Sequence, residues 1–356
     1  MNNKTIGNIF KGDKVIWMVF FFLCMISIIE VYSASSSLSY KSGNYMAPVI
    51  RHIGLLFLGL GTMICMLKVK CKYFKIVTPF VIFPSLGLLI WVLIAGQSTN
   101  GASRWINLVG IQFQPSEIAK GAVVLVVAQI LSAMQTQNGA ERRAFKYVLT
   151  ACCPFIILIG LENLSTAMLL CITILCMMII GRVPMSQIGK LVAPEDVDLD
   201  KDAQVAHANI AIASSNIVGK GPGNSVERDF LSQAFSDFIY AIIIEEMGLW
   251  GAFFVAFLYI ILLFRAGRIA NRCENTFPAF LCMGLAIMLV IQALFNMAVA
   301  VGLAPVTGQP LPLISRGGTS TIINCLYLGI ILSISRTAKK KDLPQNEANF
   351  DKFAAA

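Results

Sequence analysis

The sequence predicts an all-α protein, a polytopic bundle of membrane-spanning helices. Three observations carry this. Of 356 residues, 57% are hydrophobic and only 13% are charged, whereas a soluble globular chain has about 25% charged residues. The apolar residues gather into long runs, each near the ~20 residues that a helix needs to cross a bilayer. The lysines and arginines fall in short connections between those runs, on alternate sides, which is how membrane topology is encoded.

Taken in order, the apolar runs cover about nine clear spans: 15–34, 48–67, 74–95, 116–134, 147–161, 164–181, 238–264, 277–301 and 318–335. Lys4, Lys11 and Lys14 place the N-terminus inside. The same sign falls on Lys68, Lys70, Lys72 and Lys75, on Arg142, Arg143 and Lys146, and on Arg182 and Lys190. It continues through Arg265, Arg268 and Arg272 to the tail with Arg336, Lys339, Lys340 and Lys341. The connections 35–47, 96–115, 162–163 and 302–317 are poor in Lys and Arg and are expected outside. The chain therefore divides into a cytoplasmic N-terminal segment (1–14), a membrane domain (15–335) and a cytoplasmic tail (336–356). The first run resembles a signal peptide ending at Ser33-Ala-Ser35, but the many spans behind it favour an uncleaved first helix.

The alternation breaks once. Arg182 belongs inside, while counting back from Arg265 puts Asp237 outside, so one crossing is missing. The intervening acidic run at 195–202 (EDVDLDKD) is costly in lipid, and its apolar stretch 210–218 is too short to span. The expectation is a re-entrant or irregular path, or a lost helix, with a large outer loop before Asp237.

The net charge of +9 is explained by topology, and no basic stripe interleaved with aromatics points to nucleic acid. The ten cysteines follow no pairing or metal spacing and read as small apolar residues. His52 and His207 are far apart in sequence and form no ligand cluster.

Chemistry concentrates in the outer connections. Asp237 stands at the mouth of a long apolar run, with Glu245 and Glu246 about two helical turns further along. Carboxylates there line a cavity or active site, or, in the plainer reading, Asp237 caps its helix. In the second outer loop, Pro115 and Glu117 suit a helix start. Glu117 and Lys120 share one helix face, either as a structural ion pair or as a site. Arg104 and Trp105 read as ligand contacts or as an interfacial anchor. The glycine-rich stretch 219–225 (GKGPGNS) lacks the context and ending of a P-loop, and a plain flexible turn is the favoured reading. The last outer loop, with three prolines, Ser315, Arg316 and a double glycine, cannot be ordinary helix. At that depth it must be buried in protein or line a wet cavity.

Together these stretches resemble the SEDS family of cell-wall polymerases (shape, elongation, division and sporulation), which includes FtsW and RodA. The resemblance rests on VYSAS at 31–35, GASRW at 101–105, QPSEIAK at 114–120 and ENLSTA at 162–167. It continues with SDFIYA at 236–241, EEMG at 245–248, PVTG at 305–308 and SRGGTS at 315–320. Arg316 stands where many members have tyrosine, and GPGNS at 221–225 looks more like the division branch, FtsW. The resemblance implies a ten-helix glycosyltransferase that polymerises lipid II with a class B penicillin-binding protein, at the division septum and with other division proteins. It maps the essential aspartate of the family onto Asp237. Relatives have a helix between 181 and the large outer loop that this chain lacks, coinciding with the parity break.

The residues suit that chemistry. A partly desolvated carboxylate can act as base towards an attacking sugar hydroxyl. Outward-facing cations, Arg104, Lys120 and Arg316, can hold a pyrophosphate, with Trp105, Glu117 and Ser315 beside them. The residues single out no cofactor, and a divalent cation can neutralise leaving-group charge. The competing readings are a flippase for the lipid-linked precursor and a non-catalytic division scaffold. Clustering of the charges towards one face, away from the midplane, counts against transport.

Overall fold

The computed structural model describes residues 10–38, 46–99, 102–108, 111–137, 139–184, 187, 203–215, 217–226, 237–306 and 308–338. Ten helices run through them: α1 (Lys14–Leu38), α2 (Met46–Lys68), α3 (Cys71–Ala95), α4 (Pro115–Ala133), α5 (Arg142–Glu162), α6 (Leu164–Ile180), α7 (Ala203–Ser214), α8 (Ile239–Ala270), α9 (Thr276–Ala300) and α10 (Thr319–Thr337). Eight are long and apolar enough to cross a membrane; α6, with 17 residues, is a shorter apolar helix. These nine correspond one for one to the expected runs. The N-terminal segment up to residue 9 and the tail beyond 338 lie outside the described residues.

Burial sorts the helices into centre and periphery. In α4, α9 and α10 about two thirds or more of the apolar window is buried (67%, 72% and 72%), against 28% or less in α2, α3 and α5. The first group forms the interior, and the second turns large side chains such as Phe57, Phe80, Phe83 and Ile94 outward, as lipid-facing helices do. Where α2 meets α10 the approach is close. A Cβ on Gly329 would stand 2.8 Å from the Met63 carbonyl oxygen, and one on Gly59 2.6 Å from Cys325 Sγ. Small residues at such crossings let two backbones pack directly.

Polar ties fasten the end of the bundle where α1 begins. Asp13 caps α1 by accepting from Val15 N–H (2.9 Å) and Ile16 N–H (3.3 Å). It also forms an ion pair with Arg265 of α8 and donates its own N–H to Ser335 Oγ of α10 (3.0 Å). The opposite end carries an antiparallel three-stranded sheet between α3 and α4, formed by β1 (Gln97–Thr99), β2 (Ala102–Leu108) and β3 (Ile111–Phe113). Register is set by Asn107 facing Gln112 and Ile106 facing Phe113. The patterning did not foresee this sheet, because β1 and β3 have three residues each and β2, with the sequence ASRWINL, does not alternate apolar with polar residues. A second two-stranded pairing, β4 (Gln135–Thr136) with β5 (Gly139–Ala140), joins α4 to α5.

The largest departure from expectation is in α8. It does not run as one helix from 238 to 264: Gly248 has φ 67° and ψ −170°, which breaks it in two. The stretch 249–270 is about 33 Å long at 1.5 Å per residue, enough to cross the ~30 Å hydrocarbon layer by itself. Glu245 and Glu246 therefore sit at a break before the spanning part, not within a continuous span. The short helix α7 packs against α8 and α9, with Ala208 and Ala211 buried. Residues 188–202 and 227–236, on which the missing crossing and much of the large outer loop depend, lie outside the described residues.

Candidate active site

The last loop, between α9 and α10, folds into the bundle instead of over it. Gln309, Leu311, Leu313, Ile314 and Ser315 are all buried. Buried backbone carbonyls need donors, and here side chains from surrounding helices supply them. Asn296 donates to the carbonyl of Gln309 (2.8 Å) and Gln292 to that of Pro310 (3.0 Å). The Tyr259 hydroxyl donates to Pro312, and Ser27 Oγ to Ile314 (2.8 Å). Within the loop, Ser315 Oγ accepts from Leu311 N–H (2.7 Å), and Ser315 N–H donates to the Leu311 carbonyl (2.9 Å). Leu313 is held at φ 68°, a conformation that costs a non-glycine residue about 1–3 kcal/mol. The loop meets the condition set by its sequence: irregular backbone at membrane depth, sealed inside protein.

Asp237 lies beside this loop. It is 5% exposed, and its carbonyl accepts from Asn296 Nδ2 (3.0 Å), the same amide that holds Gln309. The N-cap of α8 is Phe238, without a side-chain cap bond, so Asp237 stands one residue before the cap. On the other side, Lys120 and Glu117 form the expected i, i+3 pair at 2.9 Å. Both are buried: Lys120 is 2% exposed and Glu117 fully covered. The Lys120 ammonium also donates to Gln292 Oε1 (2.9 Å). Lys120 is thus held inside the bundle, not on an outward-facing surface.

Two amides on α9 therefore organise the centre. Gln292 joins Lys120 to Pro310, and Asn296 joins Asp237 to Gln309. They are four residues apart, hence on one helix face. Gln309 in turn donates to Thr166 Oγ1 of α6 (2.5 Å), and the Tyr327 hydroxyl of α10 donates to the Glu117 carbonyl. The reading from sequence missed Gln292 and Asn296. Their signal was present as polar residues spaced i, i+4 in an otherwise apolar helix, a pattern that marks intramembrane function by default.

Arg316 is half-buried at the loop's end, and burial together with the nearby Arg51 guanidinium on α2 pulls its pKa below the usual arginine range. Arg51 was also missed, because it sits one residue from His52 at the mouth of α2 without a motif around it. Arg104 and Trp105 contribute backbone to β2, with Trp105 facing Gln97; their side chains lie outside the described residues.

The glycine-rich stretch 219–225 is not a plain flexible turn. It closes on the break in α8 and cradles both glutamates. Lys220 Nζ donates to Glu245 Oε1 (2.6 Å), and Ser225 Oγ (2.5 Å) and Val226 N–H (3.0 Å) complete that carboxylate. Glu246 accepts from Gly223 N–H (3.0 Å) and Ser225 N–H (3.4 Å), and from Ser33 Oγ of α1. The carbonyls of Glu245 and Glu246, which a continuous helix would offer to residues 249 and 250, accept instead from Lys220 N–H (3.0 Å) and Gly221 N–H (2.9 Å). The fit requires glycine on both sides. A Cβ on Gly219 (φ +81°) would lie 2.3 Å from the Glu246 carbonyl oxygen, and one on Gly248 2.4 Å from that of Ile217.

Among the described residues no group of three or more His, Cys, Asp and Glu can hold a metal ion. A divalent cation beside Asp237 would have to take most of its oxygen ligands from a bound pyrophosphate and from water. All ten cysteines are free.

Comparison with known proteins identifies the family. The family model described as cell cycle protein (FtsW, RodA and SpoVE) matches residues 13–199 and 186–340, two stretches that meet in the segment where charge alternation fails. The chain is 28% identical to the peptidoglycan glycosyltransferase MrdB of Escherichia coli K12, over 94% of this chain and 96% of that one. It is 29% identical to the probable peptidoglycan glycosyltransferase FtsW of Geobacter metallireducens, over 92% and 96%. The rod shape determining protein RodA of Thermus thermophilus has the same fold, with a TM-score of 0.73 and 25% identity over 94% of this chain and 100% of that one. With the family model covering nearly the whole chain, the chain belongs to the SEDS family of FtsW, RodA and SpoVE.

Proposed function

We propose that this protein is a peptidoglycan glycosyltransferase that polymerises lipid II into glycan strands on the outer face of the cytoplasmic membrane, with its N-terminus inside. The observation that carries the reading is the Asn296 bridge, which places Asp237 against the buried last loop. In this reading Asp237 is the general base. It takes the proton of the sugar hydroxyl that attacks the anomeric carbon of the donor, while the bond from that carbon to the undecaprenyl pyrophosphate breaks. Such a group typically contributes about 10²–10⁴-fold. Arg316, with Arg51 beside it, receives the departing pyrophosphate, and Arg104 and Trp105 are further proposed substrate contacts. Glu117, Lys120 and Ser315 hold the floor of the site in shape.

The division branch is favoured by the GPGNS sequence, whose backbone wraps the two glutamates of α8. MrdB and FtsW relatives are nearly equal in identity, so the branch rests on that stretch. A class B penicillin-binding protein is the proposed partner. It is supported by the likeness in fold, with a TM-score of 0.75, to a chain of a peptidoglycan synthase complex described as coordinating polymerization and crosslinking.

The test is to purify the protein with its class B partner, supply lipid II, and compare glycan polymer from wild type and Asp237→Asn. Polymer from the wild type only, with equal thermal stability of the two proteins, is the expected result. No polymer from either would favour a transporter or a scaffold. Equal polymer from both would remove Asp237 from the chemistry.

A further inference from the structure

A groove between the end of α4 and the start of α5 is lined by none of the residues assigned to the site at Asp237. It lies at the end of the bundle where α1 begins. There Gln129 of α4 donates to the Lys75 carbonyl near the start of α3 (2.8 Å), and Ser132 Oγ meets Thr276 Oγ1 at the start of α9 (2.6 Å). Two adjoining cavities form the groove. One, of about 330 Å³, is lined by Ile130, Ala133, Met134, Tyr147, Thr150 and Ala151. The other, of about 400 Å³, is lined by Arg143, Lys146, Tyr147 and Thr150. Tyr147 and Thr150 border both.

Helix spacing accounts for the groove. Arg143, Lys146, Tyr147, Thr150 and Ala151 fall at i, i+3, i+4, i+7 and i+8, one stripe of α5. Ile130, Ala133 and Met134 repeat the first three spacings at the end of α4. Polarity runs along the stripe, with both cations in its first turn and small or aromatic side chains beyond. From Arg143 to Ala151 it extends about 12 Å at 1.5 Å per residue. The Thr150 hydroxyl is satisfied within the helix, donating to the Lys146 carbonyl (2.8 Å). Arg143 and Lys146 are exposed, and among the described residues neither forms an ion pair. Glu141, the acidic residue nearest in sequence, is the exposed N-cap of α5 and pairs with neither.

A free phosphate would match only the basic half of such a groove, and a plain hydrocarbon only the apolar half. A phospholipid with an anionic head matches both. Anionic lipids give the cytoplasmic leaflet its negative potential, and basic pockets between spans on that side suit their head groups. Tyr147, between the two halves, has the amphipathic ring that favours headgroup depth. We propose that the α4–α5 groove binds an anionic phospholipid of the inner leaflet, its phosphodiester at Arg143 and Lys146 and an acyl chain against Ile130, Ala133 and Ala151. The choice of leaflet rests on the topology proposed above.

The experiment is native mass spectrometry of the full-length protein in detergent, titrated with phosphatidylglycerol or with phosphatidylcholine of the same acyl chains. Wild type is expected to bind its first phosphatidylglycerol at least about tenfold more tightly than its first phosphatidylcholine. Arg143→Gln with Lys146→Gln, both on the surface, is expected to lose that preference while melting as wild type does. Arg268→Gln with Arg272→Gln removes two charges from the same end of the bundle and is expected to keep it. Ala151→Trp fills the apolar cavity and is expected to weaken phosphatidylglycerol binding; should it not fold, the Arg143 and Lys146 pair carries the test. Millimolar sn-glycerol 3-phosphate is expected not to displace the lipid. Equal binding of both lipids, a preference that survives loss of Arg143 and Lys146, or one lost equally with Arg268 and Arg272 would each overturn the proposal. So would unchanged binding by folded Ala151→Trp, or displacement by glycerol phosphate, which would mark a site for free anions. Neither lipid II nor a partner enters the measurement, so failure of the polymerase reading leaves it intact.

Discussion

Replacing Lys120 by methionine separates what that lysine does for the fold from what it does for a substrate. The substitution keeps the chain length and removes the charge. It leaves Glu117 Oε1 without the donor at 2.9 Å, beside an Oε2 that already has none, and it strips Gln292 Oε1 of its bond at 2.9 Å. Both members of the pair are at most 2% exposed, so water cannot take over. Breaking a buried pair in this way costs about 3–5 kcal/mol. At roughly 2–4 °C per kcal/mol, melting should fall by on the order of 10 °C. Removing both charges, with Glu117→Gln and Lys120→Met together, should return the protein to within about 1 kcal/mol of wild type, since a neutral pair has no desolvation penalty to offset.

The assay is a double-mutant cycle read by thermal unfolding in detergent, followed by polymer synthesis from lipid II with the partner present. A single mutant as stable as wild type, or a double mutant no better than the single, would falsify the buried-pair account. The activity of the double mutant then assigns the role. Restored stability with polymer present makes Lys120 a structural anchor for the loop through Gln292. Restored stability without polymer makes the ammonium itself necessary to the reaction.

Further outcomes follow from the same geometry. Gly219→Ala and Gly248→Ala each place a methyl within 2.4 Å of backbone oxygen and should lower the melting temperature sharply. Gly54→Ala and Gly61→Ala, which meet nothing within 4 Å, should be neutral or slightly stabilising, because alanine favours helix by about 1 kcal/mol. Equal effects in the two sets would refute the close approach of the glycine stretch to α8. Tyr259→Phe removes the donor to the Pro312 carbonyl and should cost about 1–3 kcal/mol, measured by the same melting curves. No change there would mean that water reaches the loop.

The spans were legible because each is a long apolar run bounded by charge, and the structure extends them by only a few residues. The interior of the site was legible only in part. The pairing of Glu117 with Lys120 follows from helix spacing alone, whereas their burial depends on α9 and α10 closing over them, which no local pattern records. Gln292 and Asn296 announce themselves as polar in an apolar helix, but they donate to backbone carbonyls 13–59 residues away, and a carbonyl has no sequence signature. The glycine stretch was misread for a related reason. Its glycines look like flexibility when read locally, and only the facing Gly248 reveals that they permit contact between two backbones. The break in α8 was hidden by composition, because apolar residues on both sides of Gly248 continue one hydrophobic run.

These features bear on what holds the segment around Asp237 in position. The segment before Asp237 could be positioned by a neighbouring span, as the ten-helix pattern of relatives implies, or by contacts that α8 makes for itself. Among the described residues, contacts of the second kind are present. Glu245 and Glu246 tie the break to residues 220–226 and to Ser33 of α1. Asn296 ties Asp237 to α9, and Phe238 through Ile244 are buried against the core. Among the described residues, the first half of α8 is thus fixed at both ends, by residues 220–226 and Ser33 at the break and by Asn296 at Asp237.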